Sequence, residues 1–286
     1  MSIIKFIKKI ILLLIYFTGY KIIGNKKIIK HNNFDAIIDF CLNFSKRKVI
    51  FFDVGANLGQ SIDRFKTIRN KSIIHSFEPT PNLYQIILEK YKNTKNVFIN
   101  NFALGNKRGN LFFNSYKYHK VNSFISMKKK SKFKISRMLV TKTNKNNFED
   151  KIKVKVETID NYCKKNNIKT INLLKIDTQG FEDKVLEGAK QMLDYNRIEI
   201  IELELILGFA YEKTLSFFDI EKHLNKYKYK LISIKNFGNI ISFSNYQTDL
   251  IYVNDKLFKK IEKLHEKNIE IKNVMNSVSL KNPFSY

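Results

Sequence analysis

The chain has 286 residues with 44% apolar and 13% aromatic content, enough to bury one large core and too apolar for an intrinsically disordered chain. Its formal charge of +26 predicts attraction to anionic surfaces, whether nucleic acid, anionic lipid or an acidic glycan. Cys41 and Cys163 form no C-x-x-C pair, which excludes a disulfide framework and a thiolate zinc site and suits a reducing compartment; no two of the five histidines stand at metal-ligand spacing.

Residues 1 to 30 carry Lys5, Lys8, Lys9, Lys21, Lys26, Lys27 and Lys30 and no acid. The apolar run from Ile10 to Phe17 is far short of the ~20 residues of a membrane-spanning helix. Lys5, Lys8 and Lys9 fall on one helical face and Ile4, Ile7, Ile11 and Leu14 on the other, the layout of a helix lying in a membrane interface. A signal peptide or uncleaved signal anchor is a rival, although Thr18 to Lys21 offer no A-x-A-like cleavage site. An ordinary docking helix is another.

From Val49 onward strand and helix patterns alternate, which predicts an α/β fold with a mostly parallel sheet. Strands are expected at Val49–Val54, Ile73–Phe77, Val97–Asn100, Ile171–Ile176 and Ile198–Leu205, with an antiparallel closing pair at Tyr229–Ile234 and Leu250–Val253. Helices are expected from Gly59 to Phe65, Pro81 to Tyr91, Ile159 to Lys165, Phe181 to Leu193 and Phe217 to Lys226. Leu111 to Asn114 and Val154 with Val156 add short extended pieces. Between Lys117 and Phe148 the chain has no Asp or Glu but eight clustered cations from Lys128 to Lys145, and reads as an inserted basic loop or excursion.

Where the first strand meets the first helix stands Asp53-Val54-Gly55-Ala56-Asn57-Leu58-Gly59. Glycine there lets backbone pass close to a ligand, and the helix N-terminus offers free amide donors. The spacing is not G-x-G-x-x-G, and Asp53 would repel a pyrophosphate while suiting the cationic amino group of a methionine moiety. Glu78 ends the second strand, where Rossmann-like folds place a carboxylate that accepts from both ribose hydroxyls. The bland alternatives are a glycine turn with no nucleotide and a solvated loop carboxylate.

Six stretches in order resemble the FkbM-family methyltransferases: Asp53 to Gly59, Ser76 to Pro81, Asn101 to Gly105, Val156 to Asp160, Leu174 to Glu182, and Glu202 to Glu204. The likeness covers roughly residues 49 to 254, and the Lys175 to Glu182 stretch is its most diagnostic part. It implies a Rossmann-like class I methyltransferase fold, a mostly parallel seven-stranded sheet with helices on both faces, occupying residues 31 to 286 with a basic insertion near 117 to 148. It also implies O-methyl transfer from S-adenosyl-L-methionine, commonly onto a sugar hydroxyl of a glycan or glycolipid.

By the same resemblance Asp53, Gly55, Asn57 and Gly59 cradle the methionine end, Glu78 the ribose, and the backbone near Ala103 the adenine. Asp177 and Glu204 are the implied catalytic acids, ending the fourth and fifth parallel strands, and Tyr211 an aromatic wall of the acceptor site. Plainer readings stay open: Asp177 as a helix cap, Glu182 as a first-turn carboxylate, and Glu202 or Glu204 as a lysine partner. A magnesium site on Asp177, Glu182 and Glu204 is considered and not adopted.

Two other functions compete. An RNA methyltransferase would use the lysine-rich loop on phosphates, but only Phe133 interleaves the basic run 128 to 134. An inactive membrane-bound scaffold would have no need of acids at three strand ends. The expected partners are therefore a saccharide or glycolipid acceptor and an anionic membrane surface, with the protein cytoplasmic or peripheral on the inner membrane face.

Overall fold

Side chains alternate across a strand, so the adjacent Phe51 and Phe52, both fully buried, face opposite sides of one sheet and each needs its own layer of helices. The computed structural model describes residues 20–23, 27–30, 33–45, 48–129, 131–143, 148–206, 211–235, 247–264 and 266. Strands β1 (Tyr20–Ile23) and β2 (Lys27–Lys30) pair antiparallel ahead of helix α1 (Asn33–Leu42). Then come β3 (Ile50–Val54), α2 (Gln60–Ile68), β4 (Ile73–Phe77), α3 (Pro81–Tyr91) and β5 (Val97–Asn100). A second group holds β6 (Ala103–Leu104), β7 (Gly109–Tyr116), a short 3-10 turn at His119–Val121, α4 (Lys132–Val140) and β8 (Glu149–Glu157). The chain continues through α5 (Ile159–Lys165), β9 (Ile171–Ile176), α6 (Glu182–Glu187), α7 (Lys190–Asp194) and β10 (Ile198–Ile206). It closes with α8 (Phe217–Asn225), β11 (Lys230–Ile234), β12 (Gln247–Val253) and a helix at 255–264.

The main sheet has seven strands in the order β11-β12-β10-β9-β3-β4-β5. β12 runs antiparallel to β10 and β11, and the remaining pairs are parallel. One face, with Phe52, Phe77, Leu174 and Ile176, packs on α5, α6, α7 and α8; the other, with Phe51, Ile74, Leu173 and Ile251, packs on α1, α2, α3 and the last helix. Each such fully buried side chain contributes about 1.5 to 3 kcal/mol before ordering costs. The seven-stranded α/β expectation holds, helices on both faces included.

Four features differ from the sequence reading. Tyr20–Ile23 and Lys27–Lys30 form a hairpin where a basic helical segment was expected to end, while the residues of the proposed interfacial face, 4 to 14, lie outside the described residues. The basic stretch contains α4, and the strands that flank it, β7 and β8, join β6 in a separate three-stranded sheet ordered β6-β8-β7. Its cue was the alternation of Lys151, Lys153 and Lys155 with Ile152, Val154 and Val156, a strand with one wet face. α1 was not anticipated at all.

The expected helix from Phe181 to Leu193 is broken in two. Gly188 passes so close to the Gly105 carbonyl that a Cβ there would lie 2.0 Å from its oxygen. The Asp160 carboxylate accepts from the amides of Gln191 (2.8 Å) and Met192 (3.0 Å) at the start of α7, supplying the cap that a second helix start needs. Among the described residues no helix is long and apolar enough to cross a membrane.

Candidate active site

The carboxyl ends of β3, β4 and β9 are clamped together by backbone. The Gly55 and Ala56 amides both donate to the Phe77 carbonyl at 3.1 Å, and the Asp177 amide donates to Val54 at 3.0 Å. Gly55 sits at φ +88°, and a Cβ on it would lie 1.9 Å from the Asp177 carbonyl oxygen, so only glycine lets these two strand ends meet. Above the clamp opens a cavity of about 700 Å³, within the range of small-molecule sites. It lies at the carboxyl edge of the sheet, where open α/β sheets bind ligands.

Asn57, left-handed at φ 52°, turns the chain into this cavity. Its amide donates to Glu78 Oε2 at 2.8 Å and its Nδ2 to the His119 carbonyl at 3.0 Å, while its buried Oδ1 has no partner among the described residues. Glu78 also accepts from the Thr80 amide at 2.9 Å. Burial pushes its carboxyl up to about 7 against the lowering effect of those two amides. Ala103, Leu104, Phe77 and Phe124 supply an apolar wall beside it.

The register lays a row of charges across three strands. Asp53 is opposite Lys175, and Lys175 opposite Glu202. Lys175 Nζ stands 4.0 Å from Asp53 and 3.0 Å from Asp177; burial works against its charge, but the surrounding carboxylates hold its pKa above the ordinary lysine value. Glu202 is held by Arg64 at 2.6 Å, which also reaches Asp35 of α1 at 2.6 Å.

Two residues further along, Gln179 joins the acids that end β9 and β10. Its Nε2 donates to Asp177 at 3.0 Å and also to Glu204, and the Tyr211 hydroxyl lies 3.0 Å from its Oε1. Burial acts against the Asp177 charge, but Lys175 and the amide bond overcome it and lower the pKa. For Glu204, burial and the Asp177 charge together push the pKa well above the carboxylate range. The environments thus push the two acids apart, Asp177 toward its ionised form and Glu204 toward its neutral form.

The structure brings Gly55, Asn57, Glu78, Ala103, Asp177 and Glu204 together at one cavity. Asp53 and Gly59 are not at its wall. Asp53 is fully buried beneath the floor, beside the hydroxyls of Ser61 and Ser76, with its pKa raised by burial. Gly59 makes room for Tyr91, whose hydroxyl donates to its carbonyl at 3.0 Å; a Cβ there would meet that ring at 2.8 Å. Tyr211 stands behind Gln179 rather than walling the cavity. Glu182 Oε1 accepts from the Thr178 amide, the Thr178 hydroxyl and the Gly180 amide, all at 3.0 to 3.1 Å, so it holds the β9–α6 loop.

Lys175 and Gln179 line the cavity and contact its acids, and residue reading did not single them out, although the two-residue spacing of Lys175 and Asp177 already put them on one strand face. The roof was missed as well: Tyr118, His119, Lys120, Asn122 and Arg137 all line the cavity from the basic stretch. His119 Nδ1 is buried without a partner among the described residues, and burial, then Lys120, lowers its pKa.

A family model described as the methyltransferase FkbM domain matches residues 53–231. No curated protein matches the chain. Three solved structures match the chain at low identity. TrmK of M. capricolum in complex with S-adenosyl-homocysteine is 11% identical, with 87% of this chain and 88% of that chain covered and a TM-score of 0.41. Magnesium protoporphyrin IX methyltransferase of Synechocystis PCC 6803 with bound SAM is 8% identical, covering 78% of each chain at 0.43. An rRNA methylase from Streptococcus thermophilus is 9% identical, covering 79% of this chain and 98% of that one at 0.43.

Proposed function

Because the chain belongs to the FkbM methyltransferase family, we propose that this S-adenosylmethionine-dependent methyltransferase methylates a sugar hydroxyl of a glycan or glycolipid. The carrying observation is the acid pair Asp177 and Glu204 at the cavity wall, bridged by the Gln179 amide, with Asp177 held below and Glu204 pushed above the ordinary carboxylate range. The residues present suit the cofactor. Asn57 Oδ1 is a buried acceptor without a donor, fitting the amino group of the methionine part, and Glu78 would accept from the ribose hydroxyls. The Ala103 and Phe124 wall offers an apolar surface for adenine.

When bound, the cofactor supplies a methyl group already activated by its sulfonium. The protein's work is to align an acceptor oxygen and exclude water. Asp177, held by Lys175 and Gln179, takes the hydroxyl proton as the new carbon–oxygen bond forms. A sugar hydroxyl is a weak acid, so that transfer runs late and contributes about 10² to 10⁴ fold. Glu204, neutral, donates a hydrogen bond rather than adding a second negative charge. Lys120, Asn122 and Gln247 at the cavity wall suit an acceptor rich in hydroxyl groups. The surplus of cations supports attachment to the inner membrane face.

Incubation with methyl-labelled S-adenosylmethionine and either lipid-linked oligosaccharides, polysaccharide or total RNA tests the reading. Label is expected in acid-released O-methyl sugars. Label in RNA alone would overturn the sugar acceptor.

A further inference from the structure

One side of the basic stretch takes no part in the cavity. Helix α4 starts at Ser131, whose hydroxyl oxygen accepts from the Lys134 amide at 3.1 Å. Its inner side is occupied: Arg137 lines the cavity with its guanidinium 4.9 Å from the Tyr118 ring centre, Lys134 pairs with Glu149 at 2.7 Å, and Met138 packs on the small core under the roof. Its outer side presents three large apolar side chains, Ile135 51%, Leu139 74% and Val140 62% exposed, with the exposed Ser136 among them. A helix on a water-soluble surface shows the reverse pattern.

The rim of this strip is cationic. Lys129 before the helix and Lys142 after it are both exposed, and no acid occurs between residues 117 and 148. The next acid, Glu149, is held by Lys134; Asp150 follows it on β8. An apolar strip rimmed by lysines complements a surface that is apolar inside and anionic outside. A second copy of a chain carrying +26 would bring like charge against the same rim.

We propose that the outer face of α4 inserts shallowly into an anionic lipid surface, which sets the cavity roof at the level of the head groups. The docking stands on the helix itself. Its consequence, that a lipid-linked acceptor reaches Asp177 from the membrane side, rests on the methyltransferase reading above.

The chain contains no tryptophan, so Leu139→Trp places a single emitter on the face in question. With phosphatidylglycerol vesicles its emission is expected to shift to the blue and to be quenched by brominated acyl chains, and with phosphatidylcholine vesicles to change little. In flotation of the full chain, Leu139→Asp with Val140→Asp is expected to lower the vesicle-bound to free ratio at least about tenfold while leaving S-adenosylhomocysteine affinity unchanged. Unchanged Leu139→Trp emission overturns the proposal. So does equal flotation of the aspartate variant, which would place attachment elsewhere in the chain, or a dimer in solution that the aspartates abolish. Failure of the wild type to bind S-adenosylhomocysteine would instead strike the cofactor reading and leave the docking claim standing.

Discussion

The Tyr211 hydroxyl stands 3.0 Å from Gln179 Oε1 and 3.2 Å from the Val121 carbonyl, and its shorter bond favours the orientation in which the other end of the amide faces the two acids. With the oxygen engaged, Nε2 points to Asp177 and Glu204. A flipped amide would set an oxygen against the Asp177 carboxylate. Tyr211→Phe is therefore expected to lower kcat about three- to tenfold, the worth of one neutral hydrogen bond, with S-adenosylhomocysteine affinity unchanged. Steady-state kinetics beside calorimetric titration checks the split.

Asp177→Asn and Glu204→Gln are expected to part company. Asparagine at 177 cannot accept the acceptor's proton, and turnover should fall about 10² to 10⁴ fold. Glutamine at 204 stays neutral as the protonated glutamate is, and its carbonyl can still accept from Gln179, so turnover should fall only a few fold. Equal losses would contradict the division of the pair into charged and neutral members.

Cofactor affinity should rise with pH. Burial pushes the Glu78 carboxyl up to about 7, and its ionised form accepts more strongly from hydroxyls than its protonated form. Titration with S-adenosylhomocysteine at pH 6 and pH 8 should show tighter binding at pH 8, by up to about tenfold per unit below the pKa. Glu78→Ala should weaken binding by about 1 to 3 kcal/mol and remove the dependence.

Glu182 carries a stability consequence. In the unfolded chain its carboxyl ionises near 4.5, but burial in the fold pushes it up to about 7. The fold therefore holds a proton that the unfolded chain releases, and stability falls as pH rises through that window, by about 3 kcal/mol at most. All three donors converge on one oxygen, which an amide oxygen can replace. Glu182→Gln should match the wild type in urea unfolding at pH 5 and exceed it at pH 8.

The strands of the main sheet were legible because their apolar runs are bounded by turn residues, and the cavity residues Gly55, Asn57, Glu78, Asp177 and Glu204 because they sit at strand ends in an ordered set. What escaped the sequence depends on contacts across distance. Asp53 carries the right charge at the right strand end, yet whether it meets ligand or lies beneath the floor depends on Lys175 and Ser76 from neighbouring strands. Gly188 reads as a tolerable helix residue until Gly105 is known to lie against it. The roof was illegible for a different reason: its helix shows the inverse of the apolar pattern expected for core packing.

The stretch from Gly109 to Glu157 leaves and rejoins the body at neighbouring points, since Gly109 stands opposite Val156 in the β7–β8 register. Between those ends lie Tyr118 to Asn122, Phe124 and Arg137, the roof of the cavity, while Gly55, Glu78, Asp177 and Glu204 lie outside them. Roof and floor are thus carried by separate parts of one chain. Because the ends of the stretch meet, a change of length or sequence between them alters the roof of the cavity without displacing the strand ends that carry Glu78, Asp177 and Glu204.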